Sequence, residues 1–222
     1  MIRSLARNRW GGRASTAMAA LNARHPWSHN DHFHPWILTR LPTGARRAID
    51  VGCGRGSLLA VLADHVDEVV GTDVDPQMRE AAARRCAGLP GVEVSSTPLA
   101  DLEGPVDVVT MVAVLHHLDL REALVDVRRL LAPGGRFLCV GLAVPEGPHD
   151  QAWDVVSMLT NPVIGFVKHP WPATSGPRLP DVPVRDPELS LREVVAVAEE
   201  VMPGVVVRRR LGFRHTLEWT RP

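Results

Sequence analysis

Short apolar, β-branched runs alternate with segments of helical period between Ala48 and Gly141. This alternation is typical of a parallel sheet covered by helices on both faces. The predicted strands are Ala48–Gly52, Glu68–Asp73, Val92–Ser95, Val106–Val112 and Arg136–Gly141, and the predicted helices between them are Gly56–Asp64, Pro76–Ala87 and Arg121–Leu131. The run Pro133-Gly134-Gly135 is expected to end the last of these helices and turn the chain into the last strand.

The alternation stops after Gly141, where a proline-rich stretch follows with one predicted helix, His149–Thr160. A connection this long is usually a lid or a binding element. Another helix is predicted over Leu189–Val201, because Ser190 and the glutamate three residues later form a capping-box pattern. Two final β-rich runs predict an antiparallel hairpin that closes the sheet; they are Gly204–Leu211 and Phe213–Thr220.

Composition is that of an ordinary globular protein, with 45% hydrophobic residues, 23% charged residues and a formal net charge of zero. Nothing global therefore points to nucleic acid or to an anionic membrane. The longest apolar run, Val106–Leu115, is far shorter than the roughly 20 residues of a membrane-spanning helix. The three cysteines are widely spaced and form no CxxC pair, which predicts neither a disulfide framework nor a zinc site and favours the cytoplasm.

The strongest local signal is AIDVGCGRGSLL, residues 48–59: an apolar strand, an acid, three glycines at alternate positions and a helix start. Glycines in such a loop let the backbone turn sharply and let a ligand approach closely. A dinucleotide fingerprint beginning at Gly52 would need its third glycine at position 57, where the chain has Ser57. That register is therefore excluded.

The segment Asp50–Gly56 instead resembles the first motif of the class I S-adenosylmethionine-dependent methyltransferases. Three further segments resemble later parts of that family: VVGTDVDP (69–76), VDVVTMVAVLHHL (106–118) and LLAPGGRFL (130–138). The resemblance implies a Rossmann-like methyltransferase fold with S-adenosyl-L-methionine as cofactor and S-adenosyl-L-homocysteine as product. It also implies methyl transfer by in-line displacement, and we expect a small-molecule acceptor.

The resemblance assigns Asp73 to the ribose hydroxyls, since a carboxylate accepts two hydrogen bonds from a vicinal diol. The alternative is that Asp73 and Asp75 are turn or N-cap residues. Asp50 is expected to pair with the ligand's amino group or with loop amides, because a buried acid needs a partner; a capping role is the alternative. The implied cofactor-binding set is His29, Asn30, His32, Asp50, Gly52, Cys53, Gly54, Gly56, Asp73, Val74, Pro98, Leu99, Met111, Val112 and His117.

One position departs from the family pattern. The acid that often binds the adenine amino group falls on Pro98 in this chain. Either Asp101 is displaced into that role, or the backbone at Pro98–Leu99 and apolar packing hold the adenine. We prefer the backbone interpretation, in which Asp101 is a solvated loop acid.

Taken together, these features predict an α/β fold with a doubly wound, mostly parallel seven-stranded sheet and a C-terminal antiparallel hairpin. We expect a single domain over residues 1–222. Its parts are an N-terminal helical lid (1–45), a cofactor-binding core (46–141), a substrate-covering insertion (142–189) and a closing helix with the hairpin (190–222). The sequence does not determine the oligomeric state.

His116 and His117 follow the fourth predicted strand, at the sheet edge where doubly wound folds bind ligands. They are the predicted catalytic residues, because an oxygen or nitrogen acceptor needs a base near neutral pKa. The alternative is that one of them caps a helix or lines the cofactor pocket. Rival bases in the 142–189 insertion are His149, Asp150 and His169.

A second hypothesis is an RNA or protein methyltransferase, with Arg208-Arg209-Arg210 and Arg214 as a phosphate-tracking patch. We prefer to interpret these arginines as exposed positions on an edge hairpin, where charge discourages aggregation. The chain lacks an added RNA-binding module and an NPPY-type tetrapeptide after the fourth strand, which disfavours nucleic acid. A non-catalytic, cofactor-binding regulatory protein is the third hypothesis.

The stretch HPWSHNDHFHPW, residues 25–36, resembles a metal site because His25, His29 and His32 would share one helical face. However, Pro26 and Pro35 bracket a helix that starts near Ser28, which leaves His25 outside it. We therefore predict no metal. The stretch is expected to be a lid whose polar side, His29, Asn30 and His32, meets the methionine end of the cofactor, anchored by Trp27, Phe33 and Trp36.

Overall fold

The computed structural model describes residues 30–148, 150–157, 160 and 186–222. The chain divides into two compact units. The larger contains the described residues 30–144, 186–210 and 214–222, and the smaller contains the described residues 145–148, 150–157, 160 and 211–213. The histidine cluster before Asn30 and most of the proline-rich insertion lie outside the described residues, including His29, His149 and His169.

The larger unit is built on one seven-stranded sheet of order β3-β2-β1-β4-β5-β7-β6. Its strands are β1 Arg47–Val51, β2 Glu68–Thr72, β3 Val92–Ser95, β4 Val106–Val112, β5 Leu131–Gly141, β6 Val206–Arg210 and β7 Arg214–Thr220. Strands β1 to β5 are parallel, whereas β7 runs antiparallel between β5 and β6. The predicted fold class, including the closing hairpin, is therefore confirmed.

Among the described residues of the larger unit, five α-helices accompany the sheet: α1 His34–Leu38, α2 Ser57–Leu62, α3 Pro76–Arg85, α4 Leu120–Leu130 and α5 Leu191–Val201. Three single-turn 3-10 helices cover Asp31–Phe33, Leu99–Asp101 and Leu115–His117. Helix α3 has Pro76 in its first turn and Asp75 as its N-cap, whose carboxylate accepts from the Gln77 N–H. Helix α5 begins with the predicted capping box of Ser190 and Glu193.

Apolar side chains cover both faces of the sheet. Residues of α1, α2 and α3 pack on one face, and residues of α4 and α5 pack on the other. Successive positions of β4 alternate between the two cores, since Val108 belongs to the first and Val109 to the second. Burial on both faces is why the parallel strands are nearly continuous apolar runs in the sequence.

Strand β5 is longer than predicted, because it begins at Leu131 directly after α4 rather than at Arg136. Leu131 pairs with Val106, and Arg136 pairs with Val108. The turn signal at 133–135 therefore produces a bulge inside the strand, where extra residues lie opposite a single position of β4.

The N-terminal helix also differs from prediction. Pro35 was expected to end it, but Pro35 lies in the first turn of α1, which continues to Leu38. A proline in the first turn loses no hydrogen bond, because that N–H has no partner inside the helix. The proline therefore marks the start of a helix here.

In the smaller unit, residues 150–157 are helical, in agreement with the predicted helix over His149–Thr160. The Glu146 N–H donates to Asp150 Oδ2 at 2.9 Å, so this carboxylate, a rival candidate base, holds the backbone that precedes the helix. Among the residues that the structure describes, no helix is long and apolar enough to cross a membrane.

Candidate active site

The glycine loop leaves β1 with positive φ at Gly52, Gly54 and Gly56. At Gly52 an added Cβ would lie 2.2 Å from Val114 Cγ2, so this glycine makes room for the chain that leaves β4. At Gly54 no atom of the described residues lies within 4 Å of the Cβ position. The loop thus combines a left-handed backbone, which favours glycine, with open space in front of Gly54 that a ligand can approach.

Asp73 connects the end of β2 to this loop. Its Oδ2 accepts from the Gly54 N–H and its Oδ1 accepts from the Asp75 N–H, both at 2.9 Å. Arg79 on α3 donates to the backbone carbonyls of Asp73 and Val74, at 2.8 and 2.9 Å. A carboxylate has about four acceptor positions, so Asp73 retains capacity for a diol after bonding both amides.

Asp50 lies on β1 just before the loop and is 3% exposed. Its partner is a neighbouring strand, since the Thr110 hydroxyl on β4 donates to Asp50 Oδ1 at 2.6 Å. Burial, the largest cause, raises the pKa of Asp50 to about 7. The hydrogen bond from Thr110 lowers this pKa, and the charge of Asp73 raises it. A cationic group at this edge of the sheet would therefore favour the carboxylate form of Asp50.

His116 and His117 lie in the 3-10 helix that follows β4, with ring centroids 4.1 Å apart. His116 is half-buried and His117 is exposed. Between them and β4, Ala113 has a φ of 60°, a left-handed conformation that is rare for a residue with a Cβ. Its N–H donates to the Val140 carbonyl at 2.8 Å, which ties the exit of β4 to β5. Strained backbone of this kind concentrates at functional sites.

Two of the three residues on the polar side of the predicted lid, Asn30 and His32, are described. Asn30 Oδ1 accepts from Arg214 Nη2 of β7 at 3.3 Å. His32 is half-buried and meets Phe33 edge to face, with centroids 5.3 Å apart. Phe33 is buried and Trp36 packs on the core formed with α1 to α3, as expected for anchors of this segment.

The remaining predicted positions are distributed around the same edge of the sheet. Val74 is 88% exposed and follows Asp73, so it presents an apolar side chain beside the loop. Pro98 is exposed and Leu99 is buried in the turn after β3, while Asp101 is exposed. Val112 is half-buried, but the Met111 side chain is fully buried in the core against α4 and α5.

The three cysteines are free and buried. Burial, the largest cause, raises the pKa of the Cys53 thiol well above its usual range, and the charges of Asp50 and Asp73 add to the rise. Burial has the same effect on Cys139. A thiol that stays protonated is a poor nucleophile, so Cys53 contributes its backbone and volume to the loop.

The arginines of the hairpin are not the exposed row that was predicted. Arg208 is exposed, but Arg209 and Arg210 are half-buried, and burial lowers the pKa of Arg214 to about 10. Arg210 Nε donates to Thr216 Oγ1 at 3.1 Å, and its guanidinium lies 6.0 Å from the ring centroid of Trp36. The prediction holds for Arg208 and was wrong for the other three, because the hairpin places these long side chains against the protein's own surface.

A cleft of about 340 Å³ lies elsewhere, against β1, β2 and β3. The chain between β3 and β4 forms only the short helix Leu99–Asp101, which leaves part of this face uncovered. The cleft is lined by Arg47, Ala48, Ile49, Glu68, Val70, Glu93, Ser95, Thr97, Asp101, Leu102, Glu103 and Val106. None of the predicted cofactor-binding residues lines it.

Comparisons with known proteins agree with this geometry. The family model described as a methyltransferase domain matches residues 49–137. An uncharacterized methyltransferase of Mycobacterium tuberculosis is 29% identical over 201 residues, 89% of this chain and 98% of that protein. A ribosomal protein L11 methyltransferase of Symbiobacterium thermophilum is 44% identical over 128 residues, 52% of this chain and 40% of that protein.

Among solved structures, magnesium protoporphyrin IX methyltransferase from Synechocystis PCC 6803 with bound S-adenosylmethionine has a similar fold. The TM-score is 0.55 at 20% identity, covering 86% of this chain and 77% of that chain. Residues 49–137 match a methyltransferase domain, and these matches support a methyltransferase. They agree with the sequence resemblance to the class I S-adenosylmethionine-dependent methyltransferases, which implies S-adenosylmethionine as the cofactor.

The residues present fit this cofactor. The open space at Gly54 admits a ligand against the loop backbone. Two backbone N–H groups, those of Gly54 and Asp75, orient the carboxylate of Asp73 beside this space. Asp50 offers a buried carboxyl group to a cation, and Val74 offers apolar surface. Among the described residues, no group of three His, Cys, Asp or Glu side chains is arranged to hold a metal ion.

Sequence reasoning missed several residues of this candidate site. Thr110 on β4 donates to Asp50, and its only signal was that it is a polar residue inside an apolar run. Val114, after β4, contacts Gly52 and gave no signal. Arg79 was detectable as a base one helical turn after Asp75, the N-cap of α3.

Proposed function

We propose that this methyltransferase transfers the methyl group to a small-molecule acceptor bound at the carboxyl edge of the sheet, beside His116. The observation that carries the proposal is the state of the hairpin arginines. Arg210 and Arg214 are engaged with Thr216 and Asn30 and are partly or largely buried. A phosphate-tracking surface needs solvent-facing cations, and these side chains are unsuited to that role.

In this proposal the glycine loop and Asp73 hold the ribose and amino-acid parts of the cofactor, and Asp50 offers negative charge to its amino group. Pro98 and Leu99 contribute backbone near the adenine, with Val74 and Val112 as apolar contacts. Asn30 and His32, which belong to the N-terminal segment, lie beside the methionine end of the cofactor. S-Adenosylmethionine, when bound, supplies a methyl group on a positively charged sulfur, which leaves as a neutral thioether that keeps the electron pair.

The chain's own residues then have two tasks. They align the acceptor with the methyl group and exclude water. Holding two reactants in the correct geometry is a large source of rate enhancement. They also take the proton that a hydroxyl acceptor loses as its new bond to carbon forms, or that an ammonium acceptor must lose before its nitrogen can attack. His116 is our candidate base, with the exposed His117 as the alternative, because both lie directly after β4.

A protein acceptor is the principal competing proposal, since one relative is a ribosomal protein L11 methyltransferase. That match covers only 40% of the relative, so it supports a common methyltransferase domain more than a common substrate. We also propose a cytoplasmic location, because the cysteines are free and buried and such thiols suit a reducing compartment.

The test has two stages. Calorimetry should first detect S-adenosylmethionine binding to the full chain. A screen of extracted metabolites with labelled methyl donor should then yield a labelled small molecule. Label in a protein or RNA fraction, or salt-sensitive binding to tRNA, would overturn the small-molecule proposal. Binding without transfer to any fraction would favour a regulatory protein instead.

A further inference from the structure

His215 is a buried polar residue at the sheet edge where the acceptor is proposed to bind. It is 3% exposed, although it lies at the second position of β7 and pairs with Gly141, the last residue of β5. Its Nε2 is fully buried and has no hydrogen-bond partner among the described residues. A buried ring nitrogen without a partner is costly, so its retention indicates a use.

The space for this ring depends on Gly141. A Cβ at position 141 would lie 2.4 Å from His215 Nε2 and 2.7 Å from its Cε1. Gly141 does not have a positive φ, so its backbone conformation does not require glycine. The glycine is therefore needed to let the imidazole lie against the end of β5.

Among the described residues, the ionisable groups that act on His215 are all basic. Arg214 precedes it on β7, Arg209 pairs with it from β6, and His116 acts on it from the turn after β4. Burial, the largest cause, and these charges lower the pKa of His215 to about 4. His215 is consequently neutral at physiological pH and unsuited to accept a proton itself.

His116 has a complementary orientation. Its Nδ1 is fully buried, like Nε2 of His215, although the residue as a whole is half-buried. The outer nitrogen, Nε2, is thus the one that an acceptor at the carboxyl edge can reach. Which nitrogen of a histidine carries the proton is determined by the hydrogen bond that the other nitrogen makes.

We propose that His215 is a positioning residue for His116: one bridging water accepts a hydrogen bond from Nδ1–H of His116 and donates one to Nε2 of His215. This arrangement leaves the lone pair on Nε2 of His116 free to take the proton that the acceptor atom loses. His215 stays neutral throughout, so one proton moves and one positive charge develops, on His116. The inference rests on the proposed function, in which His116 is the base, and adds the residue that selects its tautomer.

The test is a tautomer measurement that needs no acceptor. The full chain is labelled with ¹⁵N-histidine, and long-range ¹H–¹⁵N spectra are recorded at alkaline pH. The His116 peaks are assigned by their loss in His116→Gln. Wild type is expected to show His116 protonated on Nδ1. His215→Phe, which keeps a ring without nitrogen, should lose this form, and Gly141→Ala should lose it by displacing His215. His215→Gln, whose carbonyl oxygen can accept the bond, should restore it.

His65 provides the matched control, because it is exposed at the end of α2 and its Nδ1 lies 3.0 Å from the Val61 carbonyl. Its signals should be the same in every variant, which reports an intact fold. Protonation of His116 on Nε2 in wild type, or an unchanged tautomer in both His215→Phe and Gly141→Ala, would overturn the inference. Calorimetry separates this from the proposed function: His215→Phe should bind S-adenosylmethionine as wild type does, whereas failure of wild type to bind would reject the functional proposal alone.

Discussion

Replacing Asp73 by asparagine tests the most heavily used side chain of the cofactor site. The carboxylate accepts two backbone N–H bonds at 2.9 Å, from Gly54 in the loop and from Asp75 before α3. Asparagine has the same shape but only one acceptor oxygen. Its amide group would place an N–H donor against one of the two backbone donors, so one bond is lost and one repulsive contact is formed.

The magnitude follows from these contacts. A hydrogen bond to a charged acceptor contributes about 1.5–3 kcal/mol net, and the ribose hydroxyls would lose the same charge assistance. We expect the dissociation constant for S-adenosylmethionine to rise at least tenfold, which corresponds to about 1.4 kcal/mol. Part of the loss should also be visible without cofactor, because the loop itself is held by Asp73.

Isothermal titration calorimetry measures the affinity, and thermal unfolding of the cofactor-free protein measures the loop contribution. For a chain of this size, each kcal/mol lowers the melting temperature by about 2–4 °C. The matched control is Asp64→Asn, an exposed acid just after α2, which should change neither quantity. An Asp73→Asn variant with wild-type affinity would refute the assignment of Asp73 to the cofactor.

Three other predictions follow from the same edge of the sheet. Gly52→Ala should unfold at a lower temperature and bind S-adenosylmethionine weakly, because its Cβ would lie 2.2 Å from Val114 Cγ2 at a positive φ; wild-type melting would contradict this. The folded-state pKa of Asp50, about 7, lies above its unfolded value, so its contribution to stability falls as pH rises through that window. Asp50→Asn should therefore gain stability relative to wild type between about pH 4 and 7 in urea titrations. His215 has the opposite effect: its pKa is lowered to about 4, so its contribution to the stability of the protein falls as pH falls. Because both proteins contain His215, comparing the variant with wild type at each pH removes this effect. Asp101→Asn should leave cofactor affinity unchanged by calorimetry, since Asp101 is exposed and the adenine is proposed to contact the backbone at Pro98–Leu99; a tenfold loss would assign the adenine to Asp101.

The sequence by itself determined the elements and the nature of the ligand site. Strand β4 was predicted at Val106–Val112 and β3 at Val92–Ser95, as observed. The capping box at Ser190 was also predicted. These features depend on neighbours within a few residues, such as apolar period, glycine spacing and capping side chains, so the linear pattern contains them.

Only the tertiary structure decided which residues complete the site. Asp50 was expected to bond an amide or the ligand, but its hydrogen bond comes from Thr110 on the adjacent strand. His215 lies against the end of β5 through its pairing with Gly141, and Arg214 donates to Asn30. Strand order and register bring these pairs together. Because a shift of one residue would move every side chain of a strand to the other face, no local pattern in the sequence could specify them.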